Sequence, residues 1–105
     1  MILFLVLAYL LYKKSKNKYQ IILPNEAKRL IKKGYFKKII DVRSKDEYSK
    51  GYYPKAINIP YYQIIKKYNN KEPILIYCRS GRRAKIAAQY FNNVYLIEDT
   101  YKSLL

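Results

Sequence analysis

The only cysteine of the chain, Cys78, follows the apolar run Ile74-Leu75-Ile76-Tyr77 and precedes Arg79-Ser80-Gly81-Arg82-Arg83. The run is β-branched and aromatic, the polar stretch carries a glycine, and Ala84 to Phe91 then shows helical spacing. This order reads as strand, loop and helix. A loop of that kind aims successive backbone N–H groups at one point, and the positive end of the following helix adds to the field. A thiol held there is drawn toward the thiolate, the form that acts as a nucleophile. A lone cysteine at a strand end is also a common small buried hydrophobe. Spacing by itself leaves both roles open.

Composition narrows the chemistry. With one cysteine and no histidine, the chain lacks the ligands of a zinc centre and the base of Cys-His or Ser-His-Asp catalysis. Reactivity at Cys78 has to come from the loop amides, the helix end and nearby arginines, so no metal and no cofactor are expected. The net charge of +15, from 22 basic and 7 acidic residues, favours anionic partners. Lysine is the default cation, with 17 Lys against 5 Arg, yet Arg79, Arg82 and Arg83 fall within five positions. That local switch suits planar, forked donors for an oxyanion. A nucleic-acid role would rest on charge alone, without a reading motif, and is not expected.

The 105 residues allow one domain. Met1 to Tyr12 is apolar, and Lys13, Lys14, Lys16 and Lys18 follow at once. We expect a hydrophobic N-terminal anchor helix over 1–14, a basic linker over 15–18 and the folded domain over 19–105. Twelve helical residues reach about 18 Å against about 30 Å of hydrocarbon, a gap that lysine snorkelling and bilayer thinning can narrow. No positive charge precedes the apolar run, which argues against a cleaved signal peptide. Positive charge after it predicts a membrane-anchored protein with its domain on the cytoplasmic side.

Within the domain, Tyr19 to Leu23 reads as a first strand, followed by a helix from Pro24 whose stripe is Ala27, Leu30 and Ile31. Gly34 stands where a left-handed stop belongs. Ile39 to Val42 reads as a strand buried on both faces, and Ser44 with Glu47 has the spacing of a capping box. Ala56 to Ile59 reads as a brief strand, Tyr61 to Tyr68 as a helix, Asn69 to Pro73 as a turn and Val94 to Ile97 as the last strand. Strands alternating with helices imply an α/β domain with a central parallel sheet flanked by helices. Cys78 then falls at the carboxyl end of a strand, where such sheets bind ligands.

With these residues in view, the chain resembles a single-domain rhodanese-like sulfurtransferase. The resemblance rests on Ile40-Asp41-Val42-Arg43 with Glu47-Tyr48, on Gly51 and Ala56-Ile57-Asn58-Ile59-Pro60, and on Ile76 through Ala84. It spans roughly Tyr19 to Ile97. It implies a rhodanese-like fold and a persulfide mechanism. The Cys78 thiolate takes a sulfane sulfur from an anionic donor such as thiosulfate and passes it to a thiol or cyanide acceptor. Arg79, Ser80, Gly81, Arg82 and Arg83 would bind the substrate, with Arg82 and Arg83 the foremost candidates for the donor anion. Asp41 and Arg43 would give structural support through hydrogen bonds or an ion pair with Glu47.

Related phosphatases and arsenate reductases place five residues between their cysteine and arginine. Here Arg83 follows four, and Ala84 stands where the phosphatase arginine would be, so the smaller loop fits a sulfur atom. The chain departs from the family's Gly-His-Ile-Pro-Gly-Ala with Gly51-Tyr52-Tyr53-Pro54-Lys55-Ala56, and Glu98 to Leu105 lacks the usual Gly pair and Trp. The reading opposed to an enzyme is a catalytically weak rhodanese-like binding module held at the membrane.

Overall fold

Five short strands, β1 (Tyr19–Ile21), β2 (Lys38–Asp41), β3 (Ile57–Asn58), β4 (Ile74–Tyr77) and β5 (Val94–Leu96), form one parallel sheet in the order β1-β5-β4-β2-β3. They belong to a computed structural model that describes residues 2–8 and 19–105. The connecting helices are α2 (Pro24–Lys32), α3 (Lys45–Ser49) and α4 (Arg82–Ala88). A helical segment over residues 2–8, α1, precedes them.

The central strand β4 shows why the sheet is buried on both sides. Its side chains alternate, so Ile74, Ile76 and then Cys78 join the cluster beneath α4, while Leu75 and Tyr77 join the cluster beneath α2. Ala84, Ala87 and Ala88 bring α4 close to the first face. Ala27 does the same for α2 on the second, where Leu104 completes the layer. The tail that lacks the family's Gly pair and Trp therefore still closes this face, through a 3₁₀ turn over Tyr101–Leu104.

Most expected elements form, with ends displaced by one to three residues. The Ser44–Glu47 capping box is complete: Ser44 Oγ accepts the Glu47 N–H, and Glu47 Oε1 accepts the Ser44 N–H. Gly34 adopts φ 68° just past α2, as a left-handed stop requires. The expected helix over Tyr61 to Tyr68 does not form. Only the 3₁₀ turn Tyr61–Gln63 is present, and Ile64 is already extended. Long-range partners outcompete helical ones here: the Tyr68 N–H donates to the Tyr90 carbonyl at 2.7 Å, and its ring stacks on Phe91.

The expected membrane anchor is corrected. Among the described residues, no helix is long and apolar enough to cross a membrane. The seven helical residues of 2–8 reach about 10 Å, a third of the hydrocarbon thickness. A membrane localisation with the domain on the cytoplasmic side is overturned on that ground. Residues 9–14 of the expected anchor and the linker 15–18 lie outside the described residues.

Candidate active site

Cys78 directly follows β4 and is 1% exposed. Its Sγ accepts the Gly81 N–H at 3.0 Å, so the loop folds back on its own cysteine. Gly81 makes this possible with φ 101°, a conformation side-chain-bearing residues rarely adopt. A Cβ there would also lie 2.9 Å from Glu98 Cγ and 3.2 Å from Glu98 Cα. Glu98 in turn accepts from Lys85 Nζ at 2.6 Å, which holds the Ile97–Glu98 corner against α4.

The arginines of the loop divide into two kinds. Arg79 and Arg82 are exposed, whereas Arg83 is half-buried and turns both terminal nitrogens onto Glu47, at 2.5 and 3.0 Å. The expected partner of Glu47 was Arg43. Instead Arg83 takes Glu47, and Arg43 takes Asp41. Register explains the choice: Asp41 lies two residues from Arg43, while the capping box leaves the Glu47 carboxylate facing α4. Ala84, at the phosphatase arginine's place, is fully buried in the core.

The Arg83 guanidinium, aided by Ser44 and opposed by burial, holds the Glu47 carboxyl at about 2, below its ordinary 4.5. A carboxyl lowered on folding stabilises the fold above its unfolded value, and that stability is lost as pH falls from there toward about 2. Both side chains remain partly exposed, at 26% and 34%, so solvent screening limits the gain to about 1 kcal/mol. Urea midpoints of wild type and Glu47→Gln should therefore differ at pH 6 and converge toward pH 3. A difference that does not change with pH would show that the ion pair adds nothing.

Behind this pair, Asp41 and Arg43 form a second, buried one. Arg43 Nε reaches both Asp41 oxygens at 3.0 Å, its Nη2 reaches Oδ2 at 2.6 Å, and the Arg43 N–H donates to Oδ1 at 2.9 Å. The same Nη2 donates to the Gly51 carbonyl at 2.7 Å. Asn58 Nδ2 ties β3 in by donating to the Asp41 and Arg43 carbonyls, both at 3.0 Å. Tyr101 lies over the Arg43 guanidinium, 5.0 Å from it. Gly51 leaves room for that ring, since a Cβ there would meet Tyr101 Oη.

The aromatic pair that replaces the family's His-Ile splits. Tyr52 stacks on Tyr48, while Tyr53 packs in the core and donates its N–H to the Tyr77 hydroxyl at 3.1 Å. Burial pushes the Tyr77 hydroxyl well above its ordinary range, so it stays protonated. Beside the loop, a cavity of about 300 Å³ is lined by Arg43, Glu47, Lys50, Arg79, Tyr101 and Lys102, among others. Sequence reasoning did not single out Lys50, Glu98, Tyr101 or Lys102. Each reaches the site from another element, and no local spacing signals that.

A parallel α/β sheet with a cysteine loop at the end of its central strand, braced by a buried Asp-x-Arg pair, defines a class of cysteine-centred single-domain proteins. Within that class, the family model for the rhodanese-like domain matches residues 23–103, and the chain belongs to this family. A relative from Bacillus subtilis (strain 168), "Putative sulfur carrier protein YrkF", is 39% identical over 54 residues, 49% of this chain and 29% of its own. The chain thus spans under a third of that relative's length. The crystal structure of a rhodanese-like domain protein from Staphylococcus aureus is 25% identical, with a TM-score of 0.69 over 82% of this chain and 91% of that one. The human single-domain sulfurtransferase TSTD1 shares the fold at 20% identity, with a TM-score of 0.65 over 79% and 92%.

Proposed function

We propose that the chain is a sulfurtransferase that carries a sulfane sulfur as a persulfide on Cys78. The observation that carries this reading is the Gly81 amide on Cys78 Sγ, inside a loop one residue shorter than a phosphate cradle. An N–H aimed at that point stabilises negative charge on sulfur as an oxyanion hole stabilises a developing alkoxide. The names of the Bacillus subtilis and human relatives, a sulfur carrier and a sulfurtransferase, agree with it.

With thiosulfate as donor, the Cys78 thiolate attacks the outer sulfur. A bond forms from Sγ to that sulfur, the donor's sulfur–sulfur bond breaks, and sulfite leaves with the electron pair. The thiol proton goes to solvent, since the chain holds no histidine. Arg79 and Arg82 meet the donor anion, Ser80 and Gly81 shape the loop around the sulfur, and Arg83 positions the loop through Glu47. An acceptor thiolate or cyanide then attacks the terminal sulfur, and Cys78 leaves as thiolate. Asp41 and Arg43 act only by holding the scaffold.

Incubation with thiosulfate should add the mass of one sulfur at Cys78 and release one equivalent of sulfite. Cyanide should then discharge it as thiocyanate, and Cys78→Ser should do neither. The near-complete burial of the thiol favours a second reading, a binding module of weak turnover. A folded wild type that gains no mass would defeat the enzyme and select the module.

A further inference from the structure

A second cavity, of about 510 Å³, lies away from the cysteine loop, and none of residues 78–83 lines it. It opens beside Ile74, at the start of β4, four strand residues or about 13 Å before the cysteine. Its floor is apolar: Ile40, Ile57, Ile59, Ile74, Tyr68 and Phe91. Ile40, Ile74 and Phe91 belong to the cluster beneath α4, so the cavity is an uncovered part of that face. Between Tyr61 and Tyr68 the chain forms only the turn Tyr61–Gln63, and Ile57 is 45% exposed.

The walls are held in place rather than loosely folded. Tyr68 stacks on Phe91 with centroids 4.8 Å apart. Asn70 Nδ2 donates to the Glu72 and Asn93 carbonyls, both at 2.9 Å, and Asn70 Oδ1 accepts the Asn92 N–H at 2.9 Å. The Lys37 N–H donates to the Pro73 carbonyl at 2.8 Å. At the rim stand Lys37, Lys38 and Lys71 with the single acid Glu72. Lys37 Nζ lies 3.9 Å from Glu72 Oε2, and among the described residues no carboxylate pairs with Lys38 or Lys71.

We infer that this cavity is a binding site for a free, single-chain organic carboxylate of medium length, tail on the isoleucines and headgroup at Lys38 and Lys71. The volume falls within the range of small-molecule sites, roughly 300–1,000 Å³. A second copy of this chain would set lysines against lysines, in a molecule of net charge +15. An apolar floor with a cationic rim is complementary to an amphiphilic anion.

The test is titration of the full chain with decanoate below its self-association concentration, followed by amide ¹H–¹⁵N spectra. Saturable shifts are expected at Ile57, Ile59, Tyr68 and Lys71, with none across Arg79 to Arg83. Decanol should bind about tenfold more weakly. Ile57→Glu, and separately the double variant Lys38→Glu with Lys71→Glu, should each weaken decanoate by about tenfold. These positions are exposed, so the variants should keep the wild-type spectrum and sulfur loading. No saturable binding, or shifts confined to the cysteine loop, would overturn the site. Equal affinity for decanol would overturn the anionic class. A concentration-dependent dimer that Ile57→Glu dissolves would assign the face to a second copy instead.

Discussion

Replacing Asp41 with Ala should lower the unfolding free energy by about 3–5 kcal/mol, the usual cost of leaving a buried charge without its partner. Arg43 is only 8% exposed and Asp41 is not exposed at all, so water cannot take over the lost bonds. The Arg43 N–H, Nε and Nη2 all lose an acceptor at once. Against a total stability of roughly 5–15 kcal/mol, that is enough to leave part of the population unfolded. Asp41→Asn should be only slightly milder, because it keeps the shape and removes the charge. The double variant Asp41→Ala with Arg43→Ala should be less destabilised than the sum of the single changes, since neither charge is then stranded. Urea unfolding of the wild type, Asp41→Ala, Asp41→Asn, Arg43→Ala and the double variant measures this directly. Additive losses would show that the pair is not coupled, and the bracing assigned to it would have to be withdrawn.

Gly81→Ala tests the other feature on which the site depends. The substitution meets two obstacles, a backbone at φ 101° and Glu98 within 3.3 Å of the new Cβ. The conformational strain costs about 1–3 kcal/mol. Relief by rotating the peptide moves the Gly81 N–H away from Cys78 Sγ. Loss of one such preorganised donor typically costs about 10²-fold in rate, and persulfide formation from thiosulfate should slow by that order. Gly34→Ala is the matching control. Gly34 has φ 68° with nothing within 4 Å of a new Cβ, and it stands at the end of α2, away from the loop. It should lose stability by about 1–2 kcal/mol and load sulfur at the wild-type rate. If Gly81→Ala also loads normally, the Gly81 amide is not what stabilises the sulfur.

Much of the domain was legible because its signals are local. The run Ile74 to Tyr77 announces a strand, the Ser44–Glu47 spacing a capped helix, and Gly34 a helix end. Each depends on a backbone preference or a spacing within one turn, and each stands in the structure. The cysteine loop was legible for the same reason: one Cys, one Gly and three Arg within six residues. What misled was the apolar period of Tyr61 to Tyr68, which matches a helix. Nothing local reveals that Tyr68 is claimed by Tyr90 and Phe91. The apolar N-terminal run misled in the other direction: among the described residues, no helix is long and apolar enough to cross a membrane.

By itself, then, the sequence determined the α/β class, the position of Cys78 at a strand's carboxyl end and the short spacing from Cys78 to Arg83. These follow from periodicity, composition and chain order. Only the tertiary structure decided which arginine does what. Arg83 is given to Glu47 and Arg43 to Asp41, so the exposed cations beside the cysteine are Arg79 and Arg82, with Lys50 and Lys102 brought in from elsewhere. The Arg83–Glu47 pair depends on the distance between residues far apart in the chain, which strand order and helix packing set, and it leaves Arg43 to its near neighbour Asp41.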